Sequence, residues 1–211
     1  MDSWIARLFE DPDQLRMGHC QSPEDANLGL GWLYYGLARL MRPREVVVIG
    51  SFRGFAPLVF AKALADNTES GRVTFIDPSM VDDHWKDPAA VTAHFASFGI
   101  TNIRHFLMTT QEFVETPEYA ALDEVGLVMI DGYHSEEQAR FDFEAFADRV
   151  PDHGTLLLHD SIKVARVNIY GPDRAYERRV KFFVDTLKQD SRYQVIDLPY
   201  ATGLSMVRRC R

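Results

Sequence analysis

Residues 45–55 read EVVVIGSFRGF. Val46–Ile49 is an unbroken run of β-branched residues, the pattern of a strand buried on both faces in a parallel sheet. Gly50 and Gly54 bracket a tight turn. Ala56, Leu58, Val59, Phe60, Ala63 and Leu64 continue at helical spacing, with Pro57 suited to the first turn of a helix. Strand, glycine turn and helix together let a ligand lie against backbone N–H groups at a helix N-terminus. Gly50 has no Cβ, so a ligand or a neighbouring backbone can come close. The spacing G-x-x-x-G differs from the G-x-G-x-x-G dinucleotide fingerprint. Alone, it also fits a turn that binds nothing.

The rest of the chain repeats the theme. Arg72–Ile76, Ile103–Leu107, Leu127–Ile130 and Thr155–Leu158 read as four more buried strands, with helical patterns between them. Five strands separated by helices predict an α/β fold built on a doubly wound parallel sheet. Tyr193–Leu198 and Gly203–Arg208 read as a closing antiparallel hairpin, which brings the sheet to seven strands. Asp87-Pro88 and Ser135 are helix starts, the latter with Gln138 as the second half of a capping box. Ser22-Pro23-Glu24-Asp25 predicts the start of a helix running to Met41, with Gly29, Gly31 and Gly36 inside it. Asp173–Gln189 predicts a last helix.

The 211 residues suit one domain, 44–211, preceded by a helical extension over 1–43. A net charge of −8 argues against general nucleic-acid binding, which needs a basic surface. The acidic start MDSWIARLFEDPD does not read as a signal peptide, and no apolar run approaches the ~20 residues of a membrane span. Two cysteines, Cys20 and Cys210, without a C-x-x-C pair fit a reducing compartment, so a cytoplasmic location is expected. The glycine-bearing N-terminal helix is a candidate surface for pairing with a second copy.

In open parallel sheets ligands bind at the carboxyl ends of the strands. Asp77, Thr109, Asp131, His134, His159 and Asp160 all fall there. Asp77, at the end of the second strand, is placed to accept hydrogen bonds from the hydroxyls of a ribose, or is simply a turn residue before Pro78. Thr109 and Thr110 follow the third strand. Asp131 and Asp160 end the fourth and fifth strands. If those strands are neighbours, ~4.8 Å apart, the two carboxylates can converge on a divalent ion such as Mg²⁺. His134 reads as a general base, a metal ligand or a hydrogen-bonded structural residue. His159 and Asp160 should face opposite sides of the strand, which favours Asp160 for the site.

The glycine turn, Asp77, IDGYHS at 130–135 and LLLHDS at 156–161 together resemble the class I S-adenosylmethionine-dependent methyltransferases, over about residues 44–209. The two later motifs are most similar to the small O-methyltransferase-like subfamily, related to the catechol-type enzymes. The resemblance implies a Rossmann-like sheet and a methyl group moved to a small-molecule acceptor, through a hydroxyl oxygen. It implies cofactor contacts at Gly50, Ser51, Phe52, Gly54, Asp77, Pro78, Thr109, Thr110 and Asp131, with His134 and Asp131 catalytic. In the metal-dependent relatives the cation falls to the positions of Asp131 and Asp160. The chain departs from the pattern in three places. Val48 stands where an acid usually precedes the glycine turn, Ser161 where a third metal ligand stands, and His134 where catechol-type enzymes have Lys. The segment 162–174, with Lys163, Arg166 and Arg174, is the candidate acceptor loop. The competing readings are a nicotinamide-dependent oxidoreductase, which lacks its fingerprint here, and a non-catalytic nucleoside-binding module.

Overall fold

The computed structural model describes residues 1–15, 18–68 and 71–210. Strands β1 (Glu45–Ile49), β2 (Arg72–Ile76), β3 (Ile103–Phe106), β4 (Val125–Ile130) and β5 (Thr155–His159) run parallel. With β8 (Tyr193–Leu198) and β9 (Leu204–Arg209) they form one seven-stranded sheet in the order β3-β2-β1-β4-β5-β9-β8. Strand β9 pairs antiparallel with both β5 and β8. This is the doubly wound, mostly parallel sheet with a C-terminal antiparallel hairpin that the strand pattern predicts. Chain order runs outward from β1 to β3 on one side and from β4 on the other. The topological switch therefore lies between β1 and β4, where a crevice opens at the carboxyl ends.

Alternating strand residues feed two cores. Val46 and Val48 pack on one face with α1 (Asp2–Phe9), α2 (Gly31–Met41), α3 (Phe55–Ala65) and α4 (Pro88–Ser97). Val47 and Ile49 pack on the other with α7 (Glu136–Ala147) and α8 (Val180–Leu187). Short helices α5 (Thr110–Phe113) and α6 (Pro117–Ala120) connect β3 to β4. Ile5 and Leu8 of α1 are fully buried in the first core, and Trp4 Nε1 donates to Phe98 O at 3.0 Å. Ile5 and Leu8, with Leu28, Tyr34 and Ala38, thus share a core with the sheet. Among the described residues no helix is long and apolar enough to cross a membrane.

Three local expectations fail. No helix starts at Ser22: residues 22 and 27 bridge across a turn, and the helix begins at Gly31. The Ser22 hydroxyl points to Glu24 and Asp25 instead of capping backbone, and Gly29 sits at φ +58 with no room for a Cβ against His19 O. Asp173–Gln189 is not one helix. Tyr176–Arg178 (β7) pairs antiparallel with Ala165–Val167 (β6), and only Val180–Leu187 is α-helical, after a 3-10 turn at Pro172–Arg174. The Tyr176 side chain stacks on Tyr133. Finally, Ser135 caps α7 by accepting the Gln138 N–H, but the Gln138 side chain binds Asp142 and Gln111 rather than completing a box.

Candidate active site

The crevice at the switch point is a cavity of about 630 Å³. That lies within the range of small-molecule sites, roughly 300–1,000 Å³. Its floor is the turn after β1. Gly50 has φ +69, and a Cβ there would stand 2.4 Å from Gly132 Cα and 2.6 Å from Asp131 O. The glycine is thus required by the close approach of the β1 and β4 loops, whose strand ends are joined by Asp131 N–H donating to Ile49 O at 2.8 Å. Asp77 secures the turn: its Oδ2 accepts the Ser51 N–H at 3.2 Å and its Oδ1 the Ser79 N–H at 2.7 Å. Burial pushes the Asp77 carboxyl up to about 6 despite these two hydrogen bonds.

Gly50, Ser51, Phe52, Asp77, Pro78, Thr109, Thr110, Asp131, His134 and Asp160 all line this cavity. Gly54 does not. At φ +85 it caps α3, packed against Trp85 and Phe95, and its role is the turn itself. Trp85 fills the edge of the core, stacked on Phe95, and its indole N–H holds Phe52 O at 3.0 Å. The loop is also gripped from two sides: Arg53 pairs with Asp13 of the N-terminal segment at 3.0 Å and with Asp82 of the β2–α4 loop at 2.6 Å. The buried Ser51 Oγ has no hydrogen-bond partner among the described residues, so the cavity floor offers an unused polar atom to a ligand.

The opposite wall is a cluster of charges. His134 Nε2 lies 3.3 Å from Asp160 Oδ2 and 3.8 Å from Asp131 Oδ1. His159 Nδ1 lies 3.0 Å from Asp131 Oδ1 and 3.6 Å from Asp160 Oδ1. The expected alternation, with His159 turned away, fails because Asp160 has φ +55. That left-handed residue, one past the strand end, swings its side chain back to the side of His159. Burial lowers His134 below the ordinary imidazole value, with Asp160 and Asp131 pulling against it. Burial would lower His159 too, but the adjacent Asp131 and Asp160 outweigh it and raise its pKa.

Two members of this wall carried no readable signal. His19 is fully buried, with Nε2 3.7 Å from Asp131 Oδ2 and Nδ1 3.1 Å from Tyr34 Oη. No motif surrounds it in the sequence. Arg178, on the β6–β7 hairpin, places Nη1 2.8 Å from Asp160 Oδ2. Of the basic residues expected in the acceptor loop, Arg166 lines the cavity and Lys163 and Arg174 do not.

Asp131, His134 and Asp160 each offer a ligand atom within 4.8 Å of the others, so by spacing and donor type they fit a divalent ion. Ser161 adds no fourth donor: its Oγ meets Ser205 Oγ at 2.8 Å, outside the cavity.

The comparisons agree with this geometry. A methyltransferase domain profile matches residues 47–161, from β1 through the Asp160 turn. The chain aligns over its full length with the SAH-bound O-methyltransferase of Bacillus cereus (TM-score 0.66, 15% identity, 92% of that chain). It also aligns over 95% of its length with the SAH-bound Podospora anserina methyltransferase PaMTH1 (TM-score 0.62, 17% identity, 87% of that chain). The uncharacterized protein y4gI of Sinorhizobium fredii is 24% identical over 152 residues, 70% of this chain; the chain spans only 16% of that protein's length. The profile covers more than half of the chain and both loops that build the cavity, so the protein belongs to the methyltransferase domain family.

Proposed function

We propose that the protein transfers a methyl group to a hydroxyl oxygen of a small-molecule acceptor. The observation that carries this reading is the meeting of His134, Asp131 and Asp160 in the same cavity as the Gly50 turn and Asp77. When bound, S-adenosylmethionine supplies an electrophilic methyl carbon on a sulfonium sulfur.

The chain's own residues have separable tasks. Gly50, Ser51 and Phe52 form the floor on which the cofactor's amino-acid part rests, with Asp131 opposite as the carboxylate for its ammonium. Asp77 accepts from the ribose hydroxyls, using the lone pairs that Ser51 and Ser79 leave free. Pro78, Thr109 and Thr110 border the adenine. His134, neutral near pH 7 because burial lowers it, takes the acceptor's hydroxyl proton. The oxygen that His134 frees would be the nucleophile for the methyl carbon that the bound cofactor supplies, and the thioether left behind would keep the electron pair of the carbon–sulfur bond. Asp160 and Asp131 stabilise the imidazolium that results. Holding oxygen and methyl in line is where most of the acceleration arises. The O-methyltransferase and SAH-bound neighbours support this reading by fold.

A second reading is favoured by the spacing of Asp131, His134 and Asp160. There these residues hold a divalent ion such as Mg²⁺, which would polarise the acceptor oxygen, and His134 is a ligand and not the base. We further propose that residues 44–211 are the cofactor-binding unit, with 1–43 completing its wall through His19. Pairing of two copies is assigned to the exposed Trp32 and Leu40 of α2.

Calorimetric titration with S-adenosylhomocysteine tests the cofactor reading, with binding expected for the wild type and lost in Asp77→Ala. Absence of heat at millimolar ligand would sink it. Methyl transfer that survives EDTA but falls in His134→Gln separates the base from the metal reading.

A further inference from the structure

Asp160 is the most heavily engaged side chain of the charged wall. Its Oδ1 accepts the Thr202 hydroxyl, and its Oδ2 accepts the Arg178 guanidinium at 2.8 Å. Arg178 arrives from outside the alternating strand-and-helix frame, on the β6–β7 hairpin that follows β5. The hairpin has its own anchors. Arg179 N–H donates to His134 O at 2.7 Å, and Tyr176 stacks on Tyr133 at 4.5 Å with the rings 14° apart. Ala165 pairs with Arg178 across β6–β7, which fixes the register from which the guanidinium reaches inward.

We propose that Arg178 holds the place of a cation at Asp160: the docked hairpin brings the positive charge and keeps a divalent ion off the Asp131, His134 and Asp160 donors. This deepens the proposed function by choosing between its two readings. An Arg guanidinium stays charged at all working pH values. A Mg²⁺ on Asp160 Oδ2 would sit about 2.0–2.1 Å from that oxygen. With the guanidinium nitrogen already 2.8 Å from the same atom, the two cations would crowd one carboxylate in a buried setting, where like charges repel strongly. The docked hairpin and the ion are therefore mutually exclusive at Asp160, and by linkage each weakens the other's hold. Ser161, turned toward Ser205, offers the ion no compensating ligand.

The test is Mn²⁺ uptake by the full chain, followed by electron paramagnetic resonance with S-adenosylhomocysteine present. Arg178→Ala and Arg178→Gln are expected to bind Mn²⁺ roughly tenfold or more tightly than the wild type, the least that removal of a buried like charge should give. Arg178→Lys keeps the charge and is expected to stay close to wild type. Asp160→Asn, added to Arg178→Gln, should abolish the gain and so fix the site. The thermal unfolding transition of each variant certifies its fold, and the glutamine variant preserves the length of the side chain if alanine releases the hairpin. Equal Mn²⁺ affinity in wild type, Arg178→Ala and Arg178→Gln would overturn the proposal. Failure of S-adenosylhomocysteine to bind the wild type would instead undo the cofactor reading, and the Mn²⁺ comparison would stand without it.

Discussion

On the β1–β3 side of the crevice, Gly50, Ser51 and Asp77 are fixed by main-chain groups. On the β4–β5 side, Asp131, His134 and Asp160 are fixed by other side chains. The first wall needs only a short loop and one carboxylate that accepts two nearby N–H groups. The second draws His19 from before α2, Arg178 from a hairpin past β5 and Thr202 from the β8–β9 turn. A wall made of backbone tolerates almost no change of residue. A wall made of charges is adjustable one side chain at a time, which is where a family varies its chemistry.

The strongest way to break this contrast is to place the same methyl group on either side of one contact. A Gly50→Ala Cβ would stand 2.4 Å from Gly132 Cα at φ +69, whereas a Gly132→Ala Cβ meets nothing nearer than 3.5 Å. Gly50→Ala should lose about 2–4 kcal/mol of stability in urea unfolding, together with cofactor binding. Gly132→Ala should stay within about 1 kcal/mol of wild type. Equal losses would mean that the loops yield to one another and that the first wall is not rigid.

Next in size is His134→Gln. A general base contributes about 10²–10⁴-fold to turnover, and that loss is expected with S-adenosylhomocysteine affinity unchanged in calorimetry. Asp77→Asn should do the reverse. Removing a charged acceptor costs about 1.5–3 kcal/mol, so affinity should fall roughly 10- to 100-fold. A variant that moved both quantities together would erase the division of labour between the walls.

The two walls also differ in how well the sequence announces them. Val46–Ile49 and the glycines after it are local signals, because a buried strand and a tight turn each constrain residue type within a few positions. Asp77, Asp131 and Asp160 follow from strand ends. What stayed hidden depends on tertiary contact. Tyr176 and Arg178 lie within the stretch Asp173–Gln189 that reads as a helix, yet the antiparallel pairing of β6 with β7 overrides it. Ser22-Pro23-Glu24-Asp25 has every mark of a helix start, and the chain closes a turn there instead because Ser22 and Asn27 bond backbone to backbone. Strand alternation turns His159 away from the site only if it extends through Asp160, and Asp160 is left-handed instead.

Acidity sharpens the comparison on a smaller scale. Asp77 titrates near 6 in the folded chain because of burial, against 3.8 for a free aspartate. Its folded pKa is raised, so its contribution to stability is complete below 3.8 and is lost as pH rises through 6. Binding runs the other way, since the ionised form is the better acceptor for ribose hydroxyls. S-adenosylhomocysteine affinity should therefore decline below pH 6, by up to about tenfold per pH unit. Asp142 also lines the cavity and is pushed by burial up to about 6, so the profile is to be compared in Asp77→Asn and Asp142→Asn. Only the former should flatten it.

The smallest expected effect concerns the residue farthest in sequence from its partners. Burial lowers His19 to about 3, so the ring is neutral at any pH at which the protein works. A neutral imidazole carries one N–H. If the Tyr34 hydroxyl donates to Nδ1, that N–H resides on Nε2 and faces Asp131 Oδ2. In that arrangement Tyr34 favours the tautomer whose N–H faces Asp131, across a 3.7 Å gap that is an electrostatic contact and not a hydrogen bond. Tyr34→Phe removes only the hydroxyl from a ring that stays packed on Phe60. One neutral hydrogen bond is worth about 0.5–1.5 kcal/mol, so turnover should drop about 2- to 10-fold while S-adenosylhomocysteine affinity holds. His19→Phe, which keeps the stack on Phe55 but has no N–H, should reproduce the Tyr34→Phe loss and not add to it when the two are combined. Additive losses would show that Tyr34 and His19 act separately, and that the N-terminal segment supports the second wall by packing alone.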